Sequence, residues 1–220
     1  MLDAAKNLLL IISALFPIVN PLGGSPIFLA RTDGFPEDVR RNLARQIAMN
    51  SFFLLVGSYF IGSYILEFFG ISLPVVQVGG GLIVISTGWA MLKQGGGDER
   101  RELHQGMKPD ELSGQAFYPL TLPLTVGPGS ISVAITLGAN AARHHPLLFV
   151  PMVAAVIASA LIAVSVYLCY AFADRLARIL GATGMSVMLR LSSFLLVCIG
   201  VQIVWNGASA LLATAALHGR

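Results

Sequence analysis

The chain has 220 residues, of which 55% are hydrophobic and only 11% are Asp, Glu, Lys or Arg, and its formal net charge is +3. A soluble domain carries about 25% charged residues, so this composition excludes an ordinary water-soluble domain. The small positive charge comes from Lys and Arg in a few short loops, so no nucleic-acid partner is predicted.

Six long runs of the sequence contain no charged residue, and each run is between 21 and 31 residues long. A membrane-spanning helix needs roughly 20 apolar residues, so each run can cross a bilayer once and none can cross it twice. We therefore predict an all-α membrane protein. Its six transmembrane helices are expected at residues 7–30, 46–67, 72–92, 116–138, 147–172 and 187–212.

The first run raises the alternative of a cleaved signal peptide, because Lys6 precedes the apolar stretch Leu8–Phe16. No small-residue cleavage site of the A-x-A kind follows, and the apolar stretch continues past Pro17 to Ala30. We therefore interpret this run as the first membrane helix.

Positive charges are distributed unevenly between the loops. Of the 14 Lys and Arg residues, 11 fall in alternate loops, at 31–45, 93–108 and 175–190. Because short loops rich in Lys and Arg stay in the cytoplasm, we predict a multi-pass inner (plasma) membrane protein with both termini outside. Cys169 and Cys198 lie within apolar runs without metal-ligand spacing, so no disulfide, metal or cofactor is predicted.

The sequence divides into two similar halves, 1–93 and 116–220, joined by a Gly-rich charged connector at 94–115 that is interpreted as a flexible cytoplasmic loop. Each half contains three predicted helices. Since three is an odd number, we predict that the halves are inverted repeats, inserted with opposite orientation as in many secondary transporters.

Small residues recur at matching positions of the third and sixth predicted helices. An offset of 112 residues aligns Gly80 and Gly81 with Ser192 and Ser193. Small side chains let helix backbones approach closely in membranes. We therefore predict that these two helices pack through Gly79–Gly81 and Ser192–Ser193.

The first and fourth predicted helices contain clusters of helix-breaking residues. Pro17–Pro26 holds three prolines and two glycines, and Pro123–Gly129 holds two of each. Each proline removes a backbone donor and clashes with the preceding turn, so we predict that both helices are broken near the bilayer midplane. Breaks in matching positions of two halves indicate a substrate site. The alternative is a pair of proline kinks that only shape the bundle.

No charged residue lies in the middle of any run, so a multiply charged substrate would find no countercharge. Helix starts after Gly24 and Gly129 can hold a carboxylate, and the carbonyl groups of residues 17–20 and 123–126 can receive an ammonium group or a small cation. The predicted partners are therefore a small zwitterionic substrate and the lipid bilayer. The candidate substrate-binding residues are Asn20, Pro21, Gly23, Gly24, Ser25, Thr125, Gly127, Pro128, Gly129 and Ser130.

Energy coupling follows the same reasoning, because proton-coupled carriers usually keep an Asp, Glu or His within the membrane. The four histidines lie in loops or in the C-terminal tail. Proton coupling is therefore disfavoured, which leaves a facilitator or coupling to a cation held by carbonyl groups.

Six short segments carry a resemblance to a known family: Asn20–Gly23, Pro26–Phe28, Phe69–Pro74, Gly79–Leu82, Leu122–Leu124 and Gly127–Ile131. Together they resemble the MarC family over nearly the whole chain. The resemblance implies a transporter of small neutral amino acids such as glycine, alanine and threonine, and some members look like exporters. The family's motif residues carry over to Asn20, Pro21, Gly23, Gly127, Pro128, Gly129 and Ser130. The connector matches none of its motifs.

Other functions stay open beside an amino-acid carrier. A channel or a multidrug efflux protein is the main alternative, and a homo-oligomer is compatible with either. An intramembrane enzyme is disfavoured, because the sequence has no H-E-x-x-H motif, no paired aspartates and no serine beside a base.

The charge distribution makes a testable prediction about topology. A phosphatase fused after Arg220 should be active and a fluorescent protein fused there should be dark, because both report on which side of the membrane the C-terminus lies. A bright fluorescent fusion with an inactive phosphatase would reverse the orientation and require the 31–45 loop to be external.

Overall fold

The computed structural model of the protein describes residues 2–93, 114–144 and 149–218, and helices account for nearly all of these residues. The predicted connector at 94–115 lies outside the described residues except for its last two positions. The helices are α1 Leu2–Val19, α2 Pro21–Arg31, α3 Glu37–Phe68, α4 Leu73–Lys93, α5 Ala116–Thr125, α6 Pro128–His144, α7 Phe149–Ala171 and α8 Ala173–His218.

The predicted all-α class is confirmed, and the described ranges contain no strand. By length and composition, five helices are suited to crossing a membrane, and there are six candidate spans if α5 and α6, which meet at 69°, count as one. The segment Ala5–Arg31, which contains α1 and α2, counts as a single span. The inverted repeats, and the breaks of the first and fourth predicted helices near the bilayer midplane, stay predictions.

Two helices extend well beyond the ranges expected from the sequence. Helix α3 begins at Glu37 instead of residue 46, and α8 covers Ala173–His218 instead of 187–212. A charge-free run marks only the segment suited to lipid, whereas a helix can continue into water. The acidic residues Glu37 and Asp38 favour the start of α3 because they lie at the positive end of its dipole. Helix α8 turns at Gly181, whose φ of 65° suits glycine.

Arginine side chains gather at one end of the bundle. Arg40 of α3 forms a salt bridge with Asp174 at the start of α8. Arg41 and Arg175 lie over the Phe172 ring, with guanidinium carbons 5.7 and 5.2 Å from its centroid. The structure thereby brings two of the predicted cytoplasmic segments together, and the orientation of the termini stays a prediction.

Helices α4 and α8 pack closely against each other through small residues, as the sequence predicts. A Cβ atom built on Gly81 would lie 2.8 Å from the Gly200 carbonyl oxygen, and one built on Gly88 would lie 2.9 Å from the Ser193 carbonyl oxygen. The residue number of the α8 contact falls from 200 to 193 as the α4 residue number rises from 81 to 88, so the two helices run antiparallel. Backbone contact this close leaves no room for a side chain.

The residues that make this contact differ in part from the predicted ones. Gly79 faces open space, Gly80 lies against Ser132 of α6, and Ser192 lies against Gly23 of α2. The prediction was wrong for these positions because an offset between repeats aligns equivalent residues. In an antiparallel pair, equivalent residues are not the ones that meet.

The contact between α4 and α8 can be tested with two neighbouring glycines. Gly81→Ala should lower the thermal melting temperature in detergent, because the added methyl group meets backbone and costs about 1–3 kcal/mol. Gly79→Ala is the matched control and should melt at or above the wild-type temperature, since its Cβ meets nothing within 4 Å. Equal melting of the two variants would contradict the observed packing.

Candidate functional site

A cavity lies between the junction of α1 with α2 and the junction of α5 with α6. Val84 and Thr87 of α4 and Leu196 of α8 also line it. The cavity has a volume of about 40 Å³, which is enough to hold water but is small beside a drug-sized pocket. None of the described residues that line it is charged.

The structure brings most of the predicted site residues together. The cavity is lined by Asn20, Gly24, Thr125, Gly127, Pro128, Gly129 and Ser130. Pro21, Gly23 and Ser25 are buried in α2 but do not line it. The Ser25 hydroxyl donates instead to the Cys169 carbonyl oxygen at 3.0 Å, so it holds α2 against α7.

Asn20 forms the junction between α1 and α2 and adopts a left-handed backbone conformation, with φ 47° and ψ 58°. Asparagine tolerates this conformation better than most residues. Its side-chain Oδ1 accepts a hydrogen bond from the Gly23 amide at 3.1 Å, and its carbonyl oxygen accepts one from the Gly24 amide at 3.0 Å. Asn20 therefore caps the start of α2.

This cap corrects one part of the predicted site. The sequence led us to expect free amides at the start of α2 that could hold a carboxylate. The Gly23 and Gly24 amides already donate to Asn20, so they are not available to a substrate. Composition alone could not anticipate this, because the cap depends on the left-handed conformation of one residue.

The same junction leaves carbonyl groups without their helical donors. Pro21 has no N–H, so the Pro17 carbonyl loses its usual partner. The Gly23 amide donates to the Asn20 side chain and not to the Val19 carbonyl group. Val19 lines the cavity. The Nδ2 of Asn20 is buried and has no hydrogen-bond partner among the described residues. This side of the cavity therefore has a carbonyl-rich helix end and one unused donor.

Helix α5 has wider turns than an α-helix. Its amides reach carbonyl oxygens five residues earlier, with the Val126 amide bonded to the Thr121 carbonyl at 2.8 Å. The hydroxyls of Thr121 and Thr125 donate to the carbonyl groups of Ala116 and Leu120 at 2.6 and 2.8 Å. Proline nitrogens in this segment have no hydrogen to donate, and threonine hydroxyls can satisfy freed carbonyl groups in an apolar setting.

The start of α6 lines the cavity and has amides without helical partners. The Ile131 amide donates to the Gly127 carbonyl at 3.1 Å, so the amides of Gly129 and Ser130 precede the first helical hydrogen bond. The Ser130 hydroxyl donates to the same Gly127 carbonyl at 2.9 Å. A Cβ on Gly129 would collide with Val84 of α4, so only glycine permits this approach.

Tyr170 of α7 connects the two junctions, and the sequence reasoning missed it. Its ring stacks on Phe28 of α2, with centroids 4.7 Å apart and an interplanar angle of 14°. Its hydroxyl lies 3.0 Å from the Thr125 hydroxyl of α5 and directly beside Gly24. A tyrosine near the end of a membrane helix is common, so its spacing carried no signal of this role.

The arrangement offers hydrogen bonds and partial charges. No group of three or more His, Cys, Asp and Glu residues that could hold a metal occurs within the described ranges. The carbonyl end of α1 and the amide start of α6 each carry about half an elementary charge, of opposite sign.

Comparison with known proteins places the chain among membrane proteins. A sequence profile described as MarC family integral membrane protein matches residues 5–212. The UPF0056 inner membrane protein MarC of Salmonella typhi is 31% identical over 220 residues, which covers 97% of this chain and 99% of that protein. The protein of the same name from Escherichia coli O1:K1 is 30% identical over 219 residues with the same coverage. No solved structure matches the chain.

The connection made by Tyr170 can be tested by removing one oxygen. Tyr170→Phe should lower the melting temperature in detergent, because losing the hydrogen bond to Thr125 costs about 0.5–1.5 kcal/mol. Thr125→Val should lower the melting temperature less in the Tyr170→Phe protein than in the wild type, since the two residues share one hydrogen bond. Tyr64→Phe is the control, because Tyr64 is 70% exposed. If both phenylalanine variants melt alike, the hydroxyl does not link the junctions.

Proposed function

Because the chain belongs to the MarC family of integral membrane proteins, we propose that it is a membrane transporter that exports or exchanges small neutral amino acids such as glycine, alanine and threonine. It is a multi-pass inner membrane protein, since its relatives carry that name and it has five or six candidate spans. One observation carries the proposal. A small uncharged cavity lies between two helix junctions rich in proline and glycine.

The partial charges around this cavity favour a zwitterion. The substrate carboxylate would accept hydrogen bonds from the Gly129 and Ser130 amides, which lie at the positive start of α6. The substrate ammonium group would face the carbonyl groups at the end of α1, where Val19 has lost its helical donor. On the α1 side, the buried Asn20 Nδ2 would become a further donor to the substrate once the cavity opens. The two charges of an amino acid thereby meet partial charges of opposite sign.

The size of the cavity favours the smallest amino acids. A volume of about 40 Å³ would accommodate glycine or alanine only after the cavity opens, and it is far below that of a pocket for bulky drugs. The buried residues Pro21, Gly23 and Ser25 would shape α2 without touching substrate. A channel or a multidrug efflux protein remains the alternative function, and the narrow cavity argues against the second of these.

The proposal is tested by transport into proteoliposomes that contain the purified protein. Radiolabelled alanine should exchange with internal alanine and compete with glycine. Alanine methyl ester, propionate and phenylalanine should compete poorly, because they lack the carboxylate, lack the ammonium group or exceed the cavity. Runs with and without a sodium gradient distinguish a facilitator from a cation-coupled carrier. Flux no higher than in empty vesicles, or an ester that competes as well as alanine, would disprove the proposal.

A single substitution tests the role of the α1–α2 junction. Asn20→Gly keeps the left-handed backbone accessible but removes the side chain that lines the cavity. Loss of one hydrogen bond of about 0.5–1.5 kcal/mol should weaken apparent alanine affinity by about two- to tenfold. Asn206→Ala is the control, since Asn206 is exposed on α8 and outside the cavity. Unchanged affinity in a well-folded Asn20→Gly protein would remove Asn20 from the site.

A further inference from the structure

A second cavity lies on the outside of the bundle, in a groove between α3 and α7. It leaves about 600 Å³ for the centres of water-sized molecules, compared with about 40 Å³ for the inner cavity. Its lining includes Arg45, Ala48 and Phe52 of α3 and Ala160, Ala163 and Tyr167 of α7. We call it the α3–α7 groove.

The shape of the α3–α7 groove suits a flexible hydrocarbon chain. Ala48 and Ala163 are buried and form a floor, because their side chains are too short to fill the space between the helices. Along α3 the lining extends from Arg45 to Phe53, a rise of about 12 Å at 1.5 Å per residue. One leaflet contributes about 15 Å of hydrocarbon to a bilayer. The groove therefore has the depth of one lipid leaflet.

The polar end of the groove carries an arginine that has no acidic partner among the described residues. Arg45 is the last charged residue before the apolar run of α3. Its neighbours Arg40 and Arg41 are paired with Asp174 and Glu37. No Asp or Glu lies within salt-bridge distance of Arg45 in the part of the chain that the structure describes. The Arg45 guanidinium is therefore available to a negative group outside the protein.

We propose that the α3–α7 groove binds one anionic phospholipid. Its phosphate contacts Arg45 and one acyl chain lies on the alanine floor. A guanidinium group donates two parallel hydrogen bonds to a phosphate, and this geometry favours arginine over other cations for such a contact. Tyr167 supports the assignment, because tyrosine favours the boundary between headgroups and hydrocarbon. Charge at the polar end and the length of a single leaflet together favour a lipid over a second copy of the chain.

The test uses the whole purified protein, stripped of lipid in detergent and melted with added phosphatidylglycerol or phosphatidylcholine. Phosphatidylglycerol should raise the melting temperature more than phosphatidylcholine does. Arg45→Gln should abolish this difference, while Arg178→Gln should keep it, because Arg178 is exposed at the start of α8 and outside the groove. Native mass spectrometry of the wild type should retain phosphatidylglycerol in preference to phosphatidylcholine, and it does not depend on any variant folding.

The acyl chain is tested separately by filling the groove. Ala163→Phe, or Ala160→Phe if the first variant does not fold, should reduce the shift caused by both lipids. Equal shifts with both lipids in the wild type, or a preference that survives Arg45→Gln, would overturn the proposal. So would a phenylalanine variant that dissociates a dimer and leaves the lipid shifts unchanged, since the groove would then belong to a second copy. None of these results depends on whether the protein transports amino acids.

Discussion

A shortage of backbone donors in an apolar setting governs this structure. Prolines in α2 and α5 remove N–H groups from segments that are otherwise suited to lipid, where an unsatisfied carbonyl costs several kcal/mol. The chain compensates differently at the two places. In α5, the hydroxyls of Thr121 and Thr125 donate to carbonyl groups five residues earlier. At the other junction, Asn20 accepts hydrogen bonds from two amides, and the Val19 carbonyl group at the end of α1 is left without its helical donor.

The cavity is a consequence of these two solutions. The α5–α6 segment is bent by 69° in a stretch where α5 contains two prolines and α6 begins at Pro128, and the start of α6 lines the same cavity as the α1–α2 junction. Tyr170 then holds both junctions together, by stacking on Phe28 and bonding to Thr125. Because this tyrosine reaches both junctions from a third helix, a movement of either one relative to α7 would have to break one of its contacts. Tyr170 therefore links the two junctions although it does not line the cavity.

The remaining helices pack tightly in one place and loosely in another. Helices α4 and α8 meet backbone to backbone at Gly81 and Gly88, so they form a close antiparallel pair. Helices α3 and α7 instead meet through alanines such as Ala48 and Ala163 beside larger side chains, and this leaves an open groove on the outside. Two kinds of small residue therefore have opposite effects on packing. Glycine lets two backbones touch, whereas alanine between bulky neighbours leaves space for another molecule.

The sequence by itself determined the class of protein, the candidate membrane spans and seven of the residues that line the cavity, because charge-free length and proline content act locally. It could not determine which amides were free, since the Asn20 cap depends on one backbone conformation. Nor could it identify Tyr170, whose role arises only when α7 packs between residues 28 and 125. Which small residues meet was likewise decided by the antiparallel arrangement of α4 and α8. Contacts between distant segments are set by how whole helices pack, and local sequence does not carry that information.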